Sequence, residues 1–95
     1  MQSSIPENVI YIGHKPAMNY VLAVVTQFNG GAKNIVIKAR GNSIGKAVDT
    51  AEIVRNRFVQ GLNVGQIAIS SEELLNEDGS KSKVSAIQIP LAKLQ

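Results

Sequence analysis

The stretch that decides the fold is residues 34–58, which read NIVIKARGNSIGKAVDTAEIVRNRF. Three consecutive β-branched residues, Ile35-Val36-Ile37, follow Asn34 and predict a buried strand with basic residues at its exit. Gly41-Asn42 indicates a turn, and Ser43 is a candidate N-cap for the helix that follows. In that helix, apolar and polar side chains fall on opposite faces. The predicted apolar face consists of Ile44, Ala47, Val48, Ala51, Val54 and Phe58, and the polar face of Lys46, Asp49, Thr50, Asn56 and Arg57.

A second strand-and-helix unit precedes this stretch. The run Val9-Ile10-Tyr11-Ile12 predicts a short buried strand that ends at Gly13. Pro16 suits the first position of a helix, because its missing N–H costs nothing there. Asn29-Gly30-Gly31 ends that helix. The apolar stripe predicted for it consists of Met18, Val21, Leu22, Val25 and Phe28.

Two strands are predicted after the second helix. They run over residues 64–69 and 84–91, and the Asp78-Gly79 dipeptide between them is typical of a hairpin turn. Pro90 puts the last strand at a sheet edge or near its own end, and residues 72–75 fit a strand or a helical turn equally well. The order β-α-β-α-β-β predicts an α+β two-layer sandwich. It has a mixed four-stranded sheet, two helices on one face and a projecting hairpin arm made by the last two strands.

Composition limits the classes of function. The 95 residues suffice for one domain, predicted to span residues 1–95, and no cysteine is present to form a disulfide or a thiolate metal site. No apolar run approaches the ~20 residues of a membrane span. Residues 1–6 lack the pattern of a signal peptide, so we expect a cytoplasmic protein. Residues 14–57 carry seven lysines and arginines against two acidic residues, which favours a polyanionic partner.

No catalytic constellation emerges, so we predict that the protein is not an enzyme and needs no metal or cofactor. His14 is the one histidine, and no acidic residue lies near it in the sequence to orient it. The acidic residues between 72 and 78 lie in a predicted exposed hairpin, which lacks the fixed geometry of acid–base or metal chemistry. The stretch 41–47 is similar to a phosphate-binding loop but is one residue short between its glycines. It also ends in alanine where serine or threonine would bind magnesium.

Basic residues collect at the two strand-to-helix corners, residues 13–16 and 38–43. Both corners follow parallel strands at the sheet edge where ligands of α/β proteins bind. Each also opens a helix N-terminus, whose free N–H groups attract phosphate oxygens. Lys46 adds a positive charge one turn into the second helix. Ordinary solvated loop residues are the alternative, but two such corners side by side favour a nucleic-acid backbone as the partner.

Three segments carry a resemblance that covers nearly the whole chain. They are IGHKPAMNYVL, IVIKARG and KAVDTAEIVRNRF, residues 12–22, 35–41 and 46–58, and they closely resemble the archaeal chromatin proteins of the Alba family. The resemblance implies a homodimer, with higher-order assembly along DNA, that coats, compacts or bridges double-stranded DNA with little sequence preference and also binds RNA. It further implies association with the chromosome or nucleoid.

The resemblance also implies that nucleic acid is bound by His14, Lys15, Arg40, Asn42, Lys46, Lys81 and Lys83. His14 is a departure, because the family carries an acetylated lysine at this position and a neutral imidazole is a weaker phosphate contact. Asn42 replaces a residue that is often arginine. Phe58 matches a position that joins neighbouring dimers, with burial inside the monomer as the alternative. The arm lysines match a minor-groove element, although Glu77 and Asp78 at the tip oppose insertion.

The nearest alternative function is RNA binding, as a chaperone or a ribonucleoprotein subunit. Stacking on single-stranded RNA needs exposed aromatic side chains, and the chain has only Tyr11, Tyr20, Phe28 and Phe58. We expect Phe28 to be buried, which disfavours stacking but leaves duplex RNA open. A cationic membrane-surface protein is disfavoured, because neither helix has a strongly basic face.

Overall fold

Strands and helices follow one another in the predicted order over residues 8–94, the part of the chain that the computed structural model describes. The strands are β1 (Asn8–Tyr11), β2 (Asn34–Arg40), β3 (Asn63–Val64), β4 (Ala68–Leu75) and β5 (Lys81–Ala92). The helices are α1 (Ala17–Asn29) and α2 (Ile44–Ile53), and α2 is flanked by a 3₁₀ turn (Gly41–Ser43) and a π-turn (Val54–Phe58). The prediction that no signal peptide is present concerns residues 1–6, which lie outside the described residues.

The sheet is mixed and has the order β1-β2-β5, with β3 and β4 following one another along the far side of β5. β1 and β2 are parallel, and the other pairs are antiparallel. The predicted α+β fold with its mixed sheet is therefore confirmed. It differs from the expected four strands because the strand predicted over 64–69 is divided into β3 and β4. Residues 72–75, which fitted strand or helix, belong to β4.

A β-bulge opposite Pro90 separates β3 from β4. Three residues of the edge, 65–67, face two residues of β5, 89 and 90, in the register of the two pairs. The Gly65 N–H donates to the Pro90 carbonyl at 2.8 Å. Because the nitrogen and oxygen of a strand residue point to the same side, the Pro90 nitrogen also faces the bulge, where no ladder hydrogen bond is required. A proline is thus accommodated two residues before the end of a strand that has neighbours on both sides.

Helix α1 buries a face slightly different from the predicted one. Its buried residues are Val21, Val24 and Phe28. Met18 and Leu22, both predicted in the apolar stripe, are exposed, and Val25 is only partly buried. The buried set has the same three- and four-residue spacing as the predicted set, so periodicity alone does not distinguish the two faces. The helix begins at Ala17, and Pro16 occupies the preceding cap position.

Helix α2 also differs from the prediction. Its buried residues, with those of the π-turn, are Ala47, Thr50, Ala51 and Val54. Thr50, predicted on the polar face, is fully buried, and its hydroxyl donates to the Lys46 carbonyl at 2.8 Å. The hydroxyl is therefore satisfied within the helix itself. Val48 and Phe58, predicted on the apolar face, are exposed.

The start of α2 has no side-chain cap. Ser43 was predicted to cap it, but the serine side chain makes no capping hydrogen bond and its backbone is already helical, with φ −86° and ψ −5°. An N-cap serine needs an extended backbone to reach the first free N–H groups. The 3₁₀ turn replaces the cap, because the Ile44 N–H donates to the Gly41 carbonyl.

The core lies between the sheet and the two helices. Its largest fully buried side chains are Phe28, Ile35, Ile37, Ile89, Leu91, Val21, Val24, Val54 and Thr50. Burial of one large aliphatic side chain contributes about 1.5–3 kcal/mol. Because β2 and β5 supply four of these residues, the best-packed strands lead directly into the second corner and into the arm.

The hairpin arm, residues 71–85, is the part of β4 and β5 that extends past the last β2 pairing. Every residue from 73 to 83 is exposed. The two leucines of the arm, Leu74 and Leu75, are exposed as well. The arm therefore depends on its backbone ladder and its turn, because it has no core of its own.

Candidate nucleic-acid interface

The first corner, residues 13–16, is held by the hydroxyl of Tyr20 in α1. The Gly13 and Lys15 N–H groups both donate to the Tyr20 Oη, at 2.9 and 3.2 Å. A Cβ at position 13 would lie 3.2 Å from this oxygen, so the glycine allows the close approach. The side chains of His14 and Lys15 are exposed. The corner's backbone is fixed, and its two predicted contact side chains face solvent.

Lys46 joins the first corner to α2. Its Nζ donates to the Gly13 carbonyl at 2.9 Å and to the Lys15 carbonyl at 2.7 Å. The resemblance implied a nucleic-acid contact for this side chain, whereas its ammonium group binds the backbone of the neighbouring corner. The positive charge therefore lies at the first corner and adds to its local potential. Lys46 therefore holds the backbone of the first corner in place and also supplies a positive charge there.

The second corner carries Arg40, Gly41 and Asn42. Gly41 has φ +51°, a left-handed conformation that favours glycine, and Asn42 is exposed. The Arg40 Nε donates to the Glu72 Oε1 at 2.8 Å, and the two side chains are 59 % and 42 % exposed. An exposed ion pair of this kind contributes about 0–1 kcal/mol. A phosphate group can therefore compete with Glu72 for the guanidinium.

A cavity of about 630 Å³ lies between the corners and the base of the arm. Its lining includes His14 from the first corner, Arg40 from the second and Glu72 from the arm. Tyr11 and Lys38 line it from the strands that lead into the corners. The fold thus brings predicted contact residues from both corners to one concave surface.

The two predicted arm contacts lie outside the lining of this cavity. Lys81 and Lys83 are exposed on β5, and the Lys81 Nζ lies 4.0 Å from the Glu73 Oε1. Lys83 is the register partner of the same glutamate. The two lysines therefore share one neighbouring carboxylate, which reduces the positive charge on this side of the arm.

The tip of the arm is an ordered, acidic turn. Asp78 accepts hydrogen bonds from the Ser80 hydroxyl at 2.6 Å and from the Ser80 N–H at 2.9 Å. These bonds hold the pKa of Asp78 below its ordinary value. The Asn76 side-chain amide donates to the Ser80 and Ser82 hydroxyls. The turn thus fixes a charged carboxylate at the end of the arm, where it opposes approach to a phosphate backbone.

Phe58 lies at the end of the π-turn that follows α2, and 44 % of it is exposed. The monomer therefore does not bury it, which was the alternative to a contact between dimers. Arg55 and Arg57, its neighbours in the same turn, are exposed too. The contact between dimers stays a prediction.

Three side chains of this region were not among the predicted contacts, namely Tyr11, Tyr20 and Glu72. The alternation in β1 provides a signal for Tyr11, because Ile10 and Ile12 on either side of it are buried. The contacts of Tyr20 and Glu72 arise where α1 and the arm approach the corners. No local sequence pattern reports such contacts.

Two further features that bear on function, metal-ligand clusters and membrane-spanning helices, concern residues 8–94. Within that range, no three histidine, aspartate or glutamate side chains are grouped to hold a metal ion. No helix in the same range is long and apolar enough to cross a membrane.

Known proteins are similar to this chain in sequence and in architecture. The family model described as Alba matches residues 8–71. The DNA/RNA-binding protein Alba of Methanocella arvoryzae is 58% identical over 87 residues, which cover 92% of this chain and 91% of that protein. The DNA/RNA-binding protein Alba 1 of Archaeoglobus fulgidus is 56% identical over 87 residues, which cover 92% of this chain and 97% of that protein.

The structural similarity has the same extent. Alba from Thermoplasma volcanium matches with a TM-score of 0.85 and 53% sequence identity, over 90% of this chain and 99% of that chain. The names of these relatives describe nucleic-acid binding or the family alone, and no catalytic activity, in agreement with the prediction that the chain is not an enzyme.

Proposed function

The chain belongs to the Alba family, and from this premise we propose that it binds double-stranded nucleic acid through its two corners. It does so as a homodimer that coats, compacts or bridges DNA with little sequence preference, in association with the chromosome or nucleoid in the cytoplasm. The observation that carries the proposal is the contact of Lys46, in the helix that follows the second corner, with the backbone carbonyls of the first corner. The names of the relatives, which include both DNA and RNA, support it.

The contacts that this geometry offers are to the phosphate backbone. Lys15 presents an exposed cationic side chain at the first corner and Arg40 presents one at the second, and the Lys46 ammonium is bound to the Lys15 carbonyl. His14 and Asn42 add polar groups without a fixed charge. Phosphate contacts position a protein on a duplex but carry no sequence information, which agrees with binding that is not sequence-specific.

In the proposed dimer, two pairs of corners and two arms face the duplex. The arm brings Lys81 and Lys83 toward a groove, while the carboxylates at its tip limit the depth of insertion. The exposure of Phe58 supports a contact between neighbouring dimers. Higher-order assembly along DNA would then use a surface separate from the corners.

The central experiment measures equilibrium binding to matched duplex DNA, duplex RNA and single strands across a salt titration. A dimer that neutralises about six to eight phosphates gives a slope of log K against log salt of roughly −5 to −7. A steep slope on duplexes of any sequence would support the proposal. A shallow slope, or no duplex binding at low salt, would contradict it.

Variants assign the binding face. We expect Lys15→Ala and Arg40→Ala each to weaken binding to all duplex sequences alike and to flatten the salt slope by about one to two per dimer. Lys33→Ala is the matched control, because Lys33 is exposed just before β2 begins, at the opposite end of that strand from Arg40. Unchanged slopes in both corner variants, or an equal change in the control, would remove the corners from the interface.

Assembly along DNA is tested with Phe58→Ala. We expect this variant to bind a short duplex that holds one dimer with nearly the affinity of the unmodified protein, and to lose cooperativity on a long duplex. Gel-shift titrations on the two lengths separate these effects, and thermal unfolding checks the fold. Full cooperativity in a folded variant would show that Phe58 does not join dimers.

The second candidate function is RNA binding, as a chaperone or a ribonucleoprotein subunit. The relatives' names, which include RNA, favour it. The same salt titration distinguishes the two functions, because an RNA-binding role requires tighter binding to RNA than to matched DNA at every salt concentration.

A further inference from the structure

Tyr11 is a large aromatic side chain that the fold leaves in solvent, with 70% of it exposed. The two neighbours in the chain, Ile10 and Ile12, are buried on the helix side of the sheet. Since successive strand residues point to opposite faces, Tyr11 lies on the face that no helix within residues 8–94 covers. The small number of aromatic residues in the sequence disfavours stacking, but the exposure of Tyr11 provides an aromatic surface for it.

Polar and cationic residues flank Tyr11 across the sheet. Lys38 of β2 is its register partner, and Gln88 of β5 is the register partner of Lys38. Directly opposed residues share a face, so these three side chains form one row on the open face, which we call the stacking face. Arg40 lies two residues beyond Lys38 on the same face of β2.

The charge of this surface suits a phosphate-bearing ligand. Tyr11, Lys38, Arg40 and Gln88 all line the cavity of about 630 Å³ beside the corners. Glu72 is its one acidic lining residue, and its carboxylate is paired with the Arg40 Nε. A guanidinium bound through Nε still has two terminal nitrogens that can donate to a phosphate. The lining therefore combines an aromatic surface, an amide and a net positive charge.

We propose that the stacking face binds single-stranded nucleic acid, with an unpaired base stacked on Tyr11 and the adjoining phosphates at Lys38 and Arg40. Base–aromatic stacking tolerates any sequence, because every base has a π-face, and basic side chains beside the ring hold the backbone. Gln88 supplies an amide that can pair with the edge of a base. This activity goes beyond duplex binding through the corners and does not depend on it.

The test measures binding of a short unstructured single strand, as DNA and as RNA, to the full chain and two variants. We expect Tyr11→Leu, which keeps an apolar side chain without the ring, to weaken single-strand binding about 5- to 100-fold. Tyr11→Phe keeps the ring and stays within about twofold. Thermal unfolding shows that both variants are folded, and we expect Tyr11→Leu to weaken single-strand binding more than it weakens binding to matched duplexes.

A spectroscopic readout reports stacking directly. The chain has two tyrosines and no tryptophan, so tyrosine fluorescence is observable, and a base stacked on Tyr11 quenches it. We expect single strands to quench the fluorescence of the unmodified protein but not that of Tyr11→Phe, although this variant still binds. Binding by both DNA and RNA strands identifies the base and phosphate as the ligand, whereas binding by RNA alone adds a requirement for the 2′-hydroxyl.

Two results would overturn the proposal. The first is single-strand binding by Tyr11→Leu that equals that of the unmodified protein. The second is an equal loss on duplexes and single strands, which would make Tyr11 part of the duplex interface. If instead duplexes fail to bind while single strands bind in a Tyr11-dependent way, the proposed duplex function fails and the stacking face stands.

Discussion

The two corners and the hairpin arm present basic residues in opposite ways. In the first corner, the backbone groups of Gly13 and Lys15 are held by Tyr20 and Lys46. In the arm, Lys81 and Lys83 stand on an exposed ladder and share one neighbouring carboxylate. For the proposed complex, the comparison predicts that more of the binding strength comes from the first corner, whose position is fixed before a ligand arrives, than from the arm.

One half of strand β5 lies in the core and the other half lies in the arm, and the two halves contribute differently to the free energy of unfolding. Its body half pairs with β2 and buries Ile89 and Leu91 almost completely. Its arm half, residues 81–85, pairs with β4 alone and contributes no buried side chain. Substitutions along this one strand should therefore have very different consequences for stability.

The largest expected effect is on folding. We expect Ile89→Ala to lower the free energy of unfolding by about 2–5 kcal/mol, because it leaves a cavity in the core. Leu75→Ala, at the exposed end of β4, should change it by less than about 0.5 kcal/mol. Urea unfolding of the two variants measures both values. A comparable loss for Leu75→Ala would show that the arm is packed in solution, against a second copy of the chain.

The next effect concerns the fixed position of the first corner. Tyr20→Phe removes the oxygen that accepts from the Gly13 and Lys15 N–H groups but leaves every charge in place. We expect duplex affinity to fall about three- to tenfold, given a net value of about 0.5–1.5 kcal/mol per hydrogen bond. The salt slope should stay the same, because no phosphate contact is removed.

Hydrogen exchange supplies the structural readout for this prediction. In Tyr20→Phe the Gly13 and Lys15 amides should exchange faster than in the unmodified protein. Tyr11→Phe is the matched control, because it also removes one hydroxyl but leaves the corner untouched. Unchanged exchange and affinity in Tyr20→Phe would mean that the first corner keeps its conformation without this oxygen. The Tyr20 hydroxyl would then not be what distinguishes the corner from the arm.

The difference between predicted and observed residues has a physical origin. Strand β2 and the start of α2 were predictable, because long apolar patterns and a glycine turn report local structure. The end of α2 was not, because the helix stops at Ile53 and a π-turn continues to Phe58. The burial of Thr50 was not predictable from the pattern of polar residues. Its hydroxyl donates a hydrogen bond within its own helix, and this bond offsets the cost of removing the hydroxyl from water. The role of Lys46 was missed for another reason. The sequence does not show whether a lysine ammonium faces solvent or donates to the backbone carbonyl of a residue 33 positions away.

The third prediction tests whether Glu72 of the arm competes with phosphate for the Arg40 guanidinium of the second corner. Glu72→Gln removes the carboxylate that pairs with Arg40, and we expect duplex binding to become about two- to fivefold tighter, the upper range for an exposed ion pair. Glu73→Gln is the control, because its carboxylate neighbours Lys81 on the arm instead. Equal gains for both variants would mean that general repulsion, and not competition at Arg40, limits affinity.

The smallest effect lies at the tip of the arm. The hydroxyl and N–H of Ser80 hold the pKa of Asp78 below its ordinary value, so the folded turn binds this proton more weakly than the unfolded chain does. The linked stability is therefore present above the unfolded pKa and is lost as the pH falls through the folded pKa. Ser80→Ala removes the hydroxyl contribution, which is the larger one, and should raise the Asp78 midpoint toward about 3.9.

Carbon NMR of the Asp78 carboxyl group follows this titration, and Ser80→Thr, which keeps a hydroxyl, should leave the midpoint low. The result bears on function because an ordered tip fixes the carboxylate at the point where the arm meets a groove. If the unmodified protein titrates like an unfolded aspartate, the tip is not held by Ser80. The arm could then turn its acidic end away from the phosphates, and the charge argument against deep insertion would lose its structural basis.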